Sequence, residues 1–66
     1  MNPIEQYRKE QDITQGELAQ LIGRTQAVIS YYESGDKRPN RSTLNRLREL
    51  DPDFFTYEII SRLATD

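Results

Sequence analysis

Thr14-Gln15-Gly16-Glu17-Leu18-Ala19-Gln20-Leu21-Ile22-Gly23-Arg24-Thr25-Gln26-Ala27-Val28-Ile29-Ser30-Tyr31-Tyr32-Glu33-Ser34-Gly35 reads as two short helices and the turn between them. Thr14 and Glu17 have the spacing of a capping box, and Ile13 and Leu18 flank it as a hydrophobic staple. Leu18, Leu21 and Ile22, with Ala19 beside Leu18, then form an apolar stripe at helical spacing. Gly23 stops that helix, because glycine most easily takes the left-handed conformation of a helix end. Thr25 caps a second helix two residues later. That helix puts Ile29 and Tyr32 on one face and Gln26, Ala27, Ser30 and Tyr31 mainly on the other, with Val28 between. Gly35 ends it.

The rest of the chain divides by the same local signals. Asn2-Pro3 is a cap followed by a first-position proline, with Glu5 three residues past the cap, so a first helix runs to about Glu10. Asp36-Lys37-Arg38-Pro39-Asn40-Arg41 is polar and broken by proline, hence a loop. A fourth helix of about nine residues carries Leu44, Leu47 and Leu50 inward and Arg46 and Arg48 outward. Asp51-Pro52 reads as the start of a fifth. There Phe55, Ile59 and Leu63 share a helical face, whereas Phe55, Tyr57 and Ile59 alternate as in a strand. The proline start and the length favour helix. The expectation is a single all-α domain, residues 1–66, of five short helices.

Composition excludes several classes of function. Sixty-six residues hold one domain with a thin core, and only 35% of them are apolar. Cysteine and histidine are both absent, which removes disulfides, thiolate sites, the commonest zinc ligand and the commonest general base. Asp and Glu are scattered over capping and surface positions, so no convergent catalytic or metal constellation is expected. The N-terminal Met-Asn-Pro-Ile-Glu lacks signal-peptide character. The longest apolar run is Ala27-Val28-Ile29, far short of a membrane span. A cytoplasmic, non-catalytic module without cofactor or metal is the expectation.

Charge is unevenly spread. Residues 1–23 carry a net −2, residues 24–48 a net +4, and residues 49–66 a net −4. Scattered surface charge can produce such windows. A phosphate backbone, however, responds to the local field within about 8–10 Å and not to the overall −2.

From Gln15 to Ser34 the spacing is that of a helix-turn-helix. Ala19 is small where the second helix crosses it, Gly23 makes the tight turn, and Leu18, Ile22, Ile29 and Tyr32 hold the crossing angle from inside. A fixed angle lets the second helix project into a major groove about 12 Å wide. A plain helical hairpin in a small bundle has the same internal needs. The wider pattern is more specific. Thr14-Gln15-Gly16-Glu17-Leu18-Ala19-Gln20, Ile22-Gly23-Arg24-Thr25-Gln26, Tyr32-Glu33-Ser34-Gly35 and Lys37-Arg38-Pro39 resemble the lambdoid-phage repressor and Cro family. The similarity covers residues 4–50. It implies a five-helix, lambda-repressor-like domain that binds palindromic operator DNA as a homodimer and regulates transcription.

Carried over by position, the resemblance makes Gln15 a phosphate ligand at the start of the second helix. It places Thr25 and Gln26 at the opening of the recognition helix, residues 26–33. A carboxamide there can donate and accept at adenine N6 and N7 together. Ala27 can meet a thymine methyl, and Ser30 and Tyr31 lie one turn on. Arg24, Lys37, Arg38 and Arg41 are phosphate candidates, with Asn40 adding a neutral hydrogen bond. Arg8 and Glu33 stand where the family often has an ion pair joining the first helix to the recognition helix.

Some positions depart from the family pattern. Gly16 sits in the first turn of the second helix, and Arg41 and Arg48 stand where relatives are frequently apolar. The segment after Leu50 carries no recognisable further domain. Phe54, Phe55, Tyr57 and Ile60 are excess apolar surface for so small a body, and residues 51–66 are read as a dimerisation segment. Closure of the monomer core is the other use for them. Two alternatives to a Cro-type repressor remain: an antitoxin whose acidic residues 49–66 hold a basic toxin, and a protein-binding adaptor on the same fold.

Overall fold

A computed structural model describes residues 2–64. Its order is α1 (Pro3–Glu10), α2 (Gln15–Ile22), α3 (Gln26–Ser34), α4 (Arg41–Leu50) and α5 (Tyr57–Ala64), with no strand among the described residues. Among the described residues, no helix is long and apolar enough to cross a membrane. Residues 65 and 66, the end of the segment 51–66 read as a dimerisation element, lie outside the described residues.

Each helix starts on a side-chain cap. Asn2, Thr14, Thr25 and Asn40 accept from the backbone N–H of Glu5, Glu17, Val28 and Thr43, at 2.9, 3.1, 3.2 and 2.9 Å. At α2 the box is complete, since Glu17 Oε1 accepts from the Thr14 N–H at 2.8 Å. The stops are equally local. Gly23 (φ 67°) and Gly35 (φ 88°) end α2 and α3 in the left-handed region. α1 ends without glycine. Asp12 takes φ 57°, its N–H donates to Lys9 O, and the Ile13 N–H reaches back to Arg8 O. That is a Schellman closure on one of the few non-glycine residues that tolerate it.

The fifth helix begins later than Asp51-Pro52 suggests. Asp51 closes one isolated turn, its Oδ1 accepting from the Phe54 N–H at 3.1 Å and its carbonyl from Phe55 at 2.9 Å. Helix resumes only after Thr56, whose Oγ1 caps Ile59 at 3.3 Å. The break turns Phe55 into the centre of the molecule.

The core comprises Ile4, Tyr7, Leu18, Ala19, Ile22, Ile29, Tyr32, Leu44, Leu47, Phe55 and Leu63. α2 packs on α3 and α4, α1 reaches α3, and α5 closes against α4. Tyr7, Phe54 and Phe55 form a tilted aromatic triplet with centroids 4.9–5.1 Å apart, a favourable ring geometry. Burial, and secondarily the charge of Asp51, raises the Tyr7 phenol above its usual range.

Three expectations are corrected here. Phe55 is fully buried, so it belongs to the monomer core and cannot form a dimer surface. Leu21 is 57% exposed although it keeps helical spacing with Leu18. At about 100° per residue the buried arc of Leu18, Ile22 and Ala19 centres near Ile22, and Leu21 falls about 100° away from it. Arg48 is half-buried rather than outward: its guanidinium lies 4.0 Å from the centroid of the Tyr57 ring.

Candidate nucleic-acid interface

The outer face of α3 is a continuous exposed strip, polar except for Ala27. Thr25, Gln26, Ala27, Ser30 and Tyr31 are all exposed, while Ile29 and Tyr32 on the opposite side are buried and Val28 packs against the core edge. The strip follows from helical periodicity, because residues i, i+1, i+4 and i+5 share a face. Gln26 leans toward the start of α2. Its Oε1 lies 3.6 Å from where a Cβ on Gly16 would sit, so the first turns of the two helices meet at that point.

The far end of α3 is tied to α1 twice. Arg8 Nε and Nη2 donate to Glu33 Oε2 and Oε1 at 2.8 and 3.0 Å, a bidentate pair with side chains 17% and 8% exposed. Burial pushes the Glu33 carboxyl up, but hydrogen bonds from Arg8 and Gln15 and the Arg8 charge outweigh it, leaving the carboxyl below its usual range. The hydrogen bond to Glu33 is the largest influence on Arg8, whose pKa is raised. Asn2 makes the second tie. While its Oδ1 caps α1, its Nδ2 donates to Tyr32 O at 2.6 Å. The amide does both with separate atoms, oxygen accepting and nitrogen donating. The sequence signal for it was weak: asparagine, rather than aspartate or serine, at a capping position.

The expected phosphate ligands differ in their surroundings. Gln15 is half-buried and its Nε2 gives one of its two N–H groups to Glu33 Oε1 at 3.2 Å, a bond that orients the amide and does not use the second donor. Arg24 is drawn inward, donating to Thr43 Oγ1, Gly23 O and Ser42 Oγ. Asn40 spends its Oδ1 on the cap of α4. Lys37, Arg38 and Arg41 are exposed around buried Pro39. Lys37 Nζ sits 5.0 Å from the centroid of Tyr31, joining the basic loop to the strip on α3, a contact the spacing did not announce. Lys37 and Arg38 also line a hollow of about 190 Å³ with Asn2 and Arg62.

Among the residues expected at a dimer contact, Phe54 is half-buried on the aromatic triplet and Tyr57 is 74% exposed. Ile60 lines a groove of about 330 Å³ between α4 and α5, with Pro39, Arg41, Leu44 and Asn45. No group of His, Cys, Asp and Glu able to hold a metal ion exists among the described residues.

A helix-turn-helix family profile matches residues 4–50, spanning α1 to α4. Multiprotein-bridging factor 1a of Arabidopsis thaliana is 43% identical over 44 residues, which are 67% of this chain and 31% of that protein. No solved structure matches the chain. With the matched residues covering most of its length and the motif intact in three dimensions, the chain belongs to the helix-turn-helix family of DNA-binding regulators.

Proposed function

We propose that this protein is a sequence-specific regulator of the Cro type, which binds a palindromic operator in double-stranded DNA as a homodimer and reads each half-site with α3. The observation that carries this reading is the exposed strip of Gln26, Ala27, Ser30 and Tyr31 on a helix whose other side is locked by Ile29, Tyr32 and the Arg8–Glu33 pair. A rigid helix with an exposed, largely polar face is what direct readout in a major groove needs. Gln26 is the base reader, with Ala27 beside it for a thymine methyl. Lys37, Arg38 and Arg41 supply the phosphate contacts that set register without reading sequence. With three such cations per subunit, log K falls with log salt at a slope of about −2.7.

A single reader of this size binds too weakly to select a site in a genome, and a two-fold pair supplies the missing affinity. Tyr57 and Ile60, with the exposed edge of Phe54, form the contact in this reading. Tyr57 supports it, being a large aromatic side chain left 74% exposed beside the half-buried Ile60 and Phe54, the kind of surface a second copy covers.

A second reading is a protein-binding adaptor on the same fold, and the plant relative's designation as a multiprotein-bridging factor favours it. Selection from random duplexes at roughly 100 mM salt, where phosphate contacts persist, separates the two. Enrichment of a palindrome with half-sites about one helical turn apart supports the operator reading. Gln26→Ala then relaxes preference at one base pair, whereas Lys37→Ala weakens all sequences alike. Absence of enrichment, with no salt-dependent binding to bulk duplex, refutes it and leaves the adaptor.

A further inference from the structure

We propose that Arg24 is a positioning residue: through Thr43 it locks the turn that opens the recognition helix to the first turn of α4, and so aligns base reading with phosphate contact. The inference rests on the DNA-binding reading above.

Arg24 stands between Gly23, which ends α2, and Thr25, which caps α3. Its backbone N–H closes the end of α2 by donating to Ala19 O at 2.8 Å. Its side chain then turns to α4. Nε donates to Thr43 Oγ1 at 2.9 Å, Nη2 to Ser42 Oγ at 3.3 Å, and Nη1 folds back to Gly23 O at 2.9 Å. A planar guanidinium with three acceptors in fixed directions holds one orientation, which a lysine ammonium cannot reproduce.

The acceptor is as telling as the donor. Thr43 is 0% exposed and is the one polar side chain in the core among the described residues. A buried hydroxyl is retained only when its hydrogen bond is made, and Arg24 makes it. The Thr43 N–H is meanwhile held by the Asn40 cap, so the same residue belongs to the start of α4 beside Arg41. One turn further on, the exposed Arg46 side chain lies over Gly23, its Nη1 2.9 Å from where a Cβ there would sit, so the same helix also covers the turn.

This grip matters because α3 and α4 share no extensive packing of their own; α4 rests on α2 and α5. The relative placement of Gln26 and Arg41 is therefore set through α2, which packs on both helices, and through the α2–α3 turn that Arg24 ties to α4. Loosening it leaves every phosphate ligand present while blurring its alignment with the base reader. Specific binding suffers and non-specific binding does not.

The test compares affinity for the duplex recovered by selection with affinity for a mixed-sequence duplex, using the full chain, after thermal unfolding has shown each variant folded at the assay temperature. Thr43 is wholly buried, so Thr43→Val cannot act by direct contact with DNA. Thr43→Val and Arg24→Lys are each expected to cut the ratio of specific to non-specific affinity about tenfold, the scale of one charge-assisted hydrogen bond. Combined, they cut it no further. Thr43→Ser keeps the hydroxyl and restores the wild-type ratio. If Thr43→Val does not fold, Arg24→Lys against Thr43→Ser carries the decision.

A wild-type ratio in Thr43→Val or in Arg24→Lys overturns the proposal. So does an equal loss on both duplexes in Arg24→Ala with a salt slope lower by about 0.9, the mark of a direct phosphate contact. Wild-type protein that binds neither duplex overturns the DNA reading itself, a result distinct from either of these.

Discussion

Replacing Arg8 by Met removes the cation that neutralises Glu33 while keeping much of the side-chain volume. The carboxylate is 8% exposed and receives two hydrogen bonds from Arg8 and one from Gln15. Removing one partner of a buried pair costs about 3–5 kcal/mol, because the other charge stays buried without compensation. Gln15 still donates, and Arg8 is 17% exposed, so the site admits some water; both place the loss near the lower end, about 3 kcal/mol. The whole domain, at about 0.05–0.15 kcal/mol per residue, has only some 3–10 kcal/mol to lose. The expected fall in Tm is about 12–24 °C, at 4–8 °C per kcal/mol for a domain of this size.

Urea unfolding at pH 7, followed by far-ultraviolet circular dichroism, reads the change as a shifted midpoint at constant slope. The double variant Arg8→Met/Glu33→Leu is the control. It removes both charges together and should recover about 2 kcal/mol, since an apolar replacement of a buried pair is often close to neutral. The reasoning fails if Arg8→Met costs less than about 1 kcal/mol, or if the double variant is as unstable as the sum of its singles.

The same carboxylate sets an acid limit. Its folded pKa lies below the usual value, so its contribution to stability is complete above about pH 5 and is lost as pH falls through the folded pKa, below about 4.3. The stability difference between wild type and Glu33→Gln should therefore shrink on acidification across that window, and a difference independent of pH contradicts the assignment. The glycines give opposite signs in the same unfolding assay. Gly23→Ala forces a side chain to φ 67° and costs about 1–2 kcal/mol, with Arg46 able to swing aside. Gly16→Ala gains up to about 1 kcal/mol of helix propensity, because its new Cβ meets Gln26 Oε1 at an ordinary 3.6 Å.

The starts and stops of α1 to α4 were legible in the sequence because they depend on neighbours three or four residues apart, whereas the start at Asp51-Pro52 proved an isolated turn ahead of α5. Thr14 with Glu17, Asn2 with Pro3, and glycines 23 and 35 act locally, and the caps sit where short-range chemistry places them. The same periodicity exposes Gln26, Ala27, Ser30 and Tyr31 together on one face. The errors arose where a residue had a choice of neighbours. Leu21 obeys the spacing of its helix yet faces outward, since the buried arc is set by where α3 and α4 cross α2. Phe55 is as apolar as an interface needs, but the turn closed by Asp51 swings it onto Tyr7. Arg24 is as basic as Lys37, and nothing local distinguishes a phosphate ligand from a clamp. Thr43, nineteen residues away and wholly buried, makes that distinction. Sequence by itself determined the first four helices, their order and the exposed face of α3, because these follow from short-range hydrogen bonding and periodicity. Tertiary structure alone decided which charges point to solvent and which are spent inside, because desolvation and hydrogen-bond geometry depend on partners that the chain brings together only on folding.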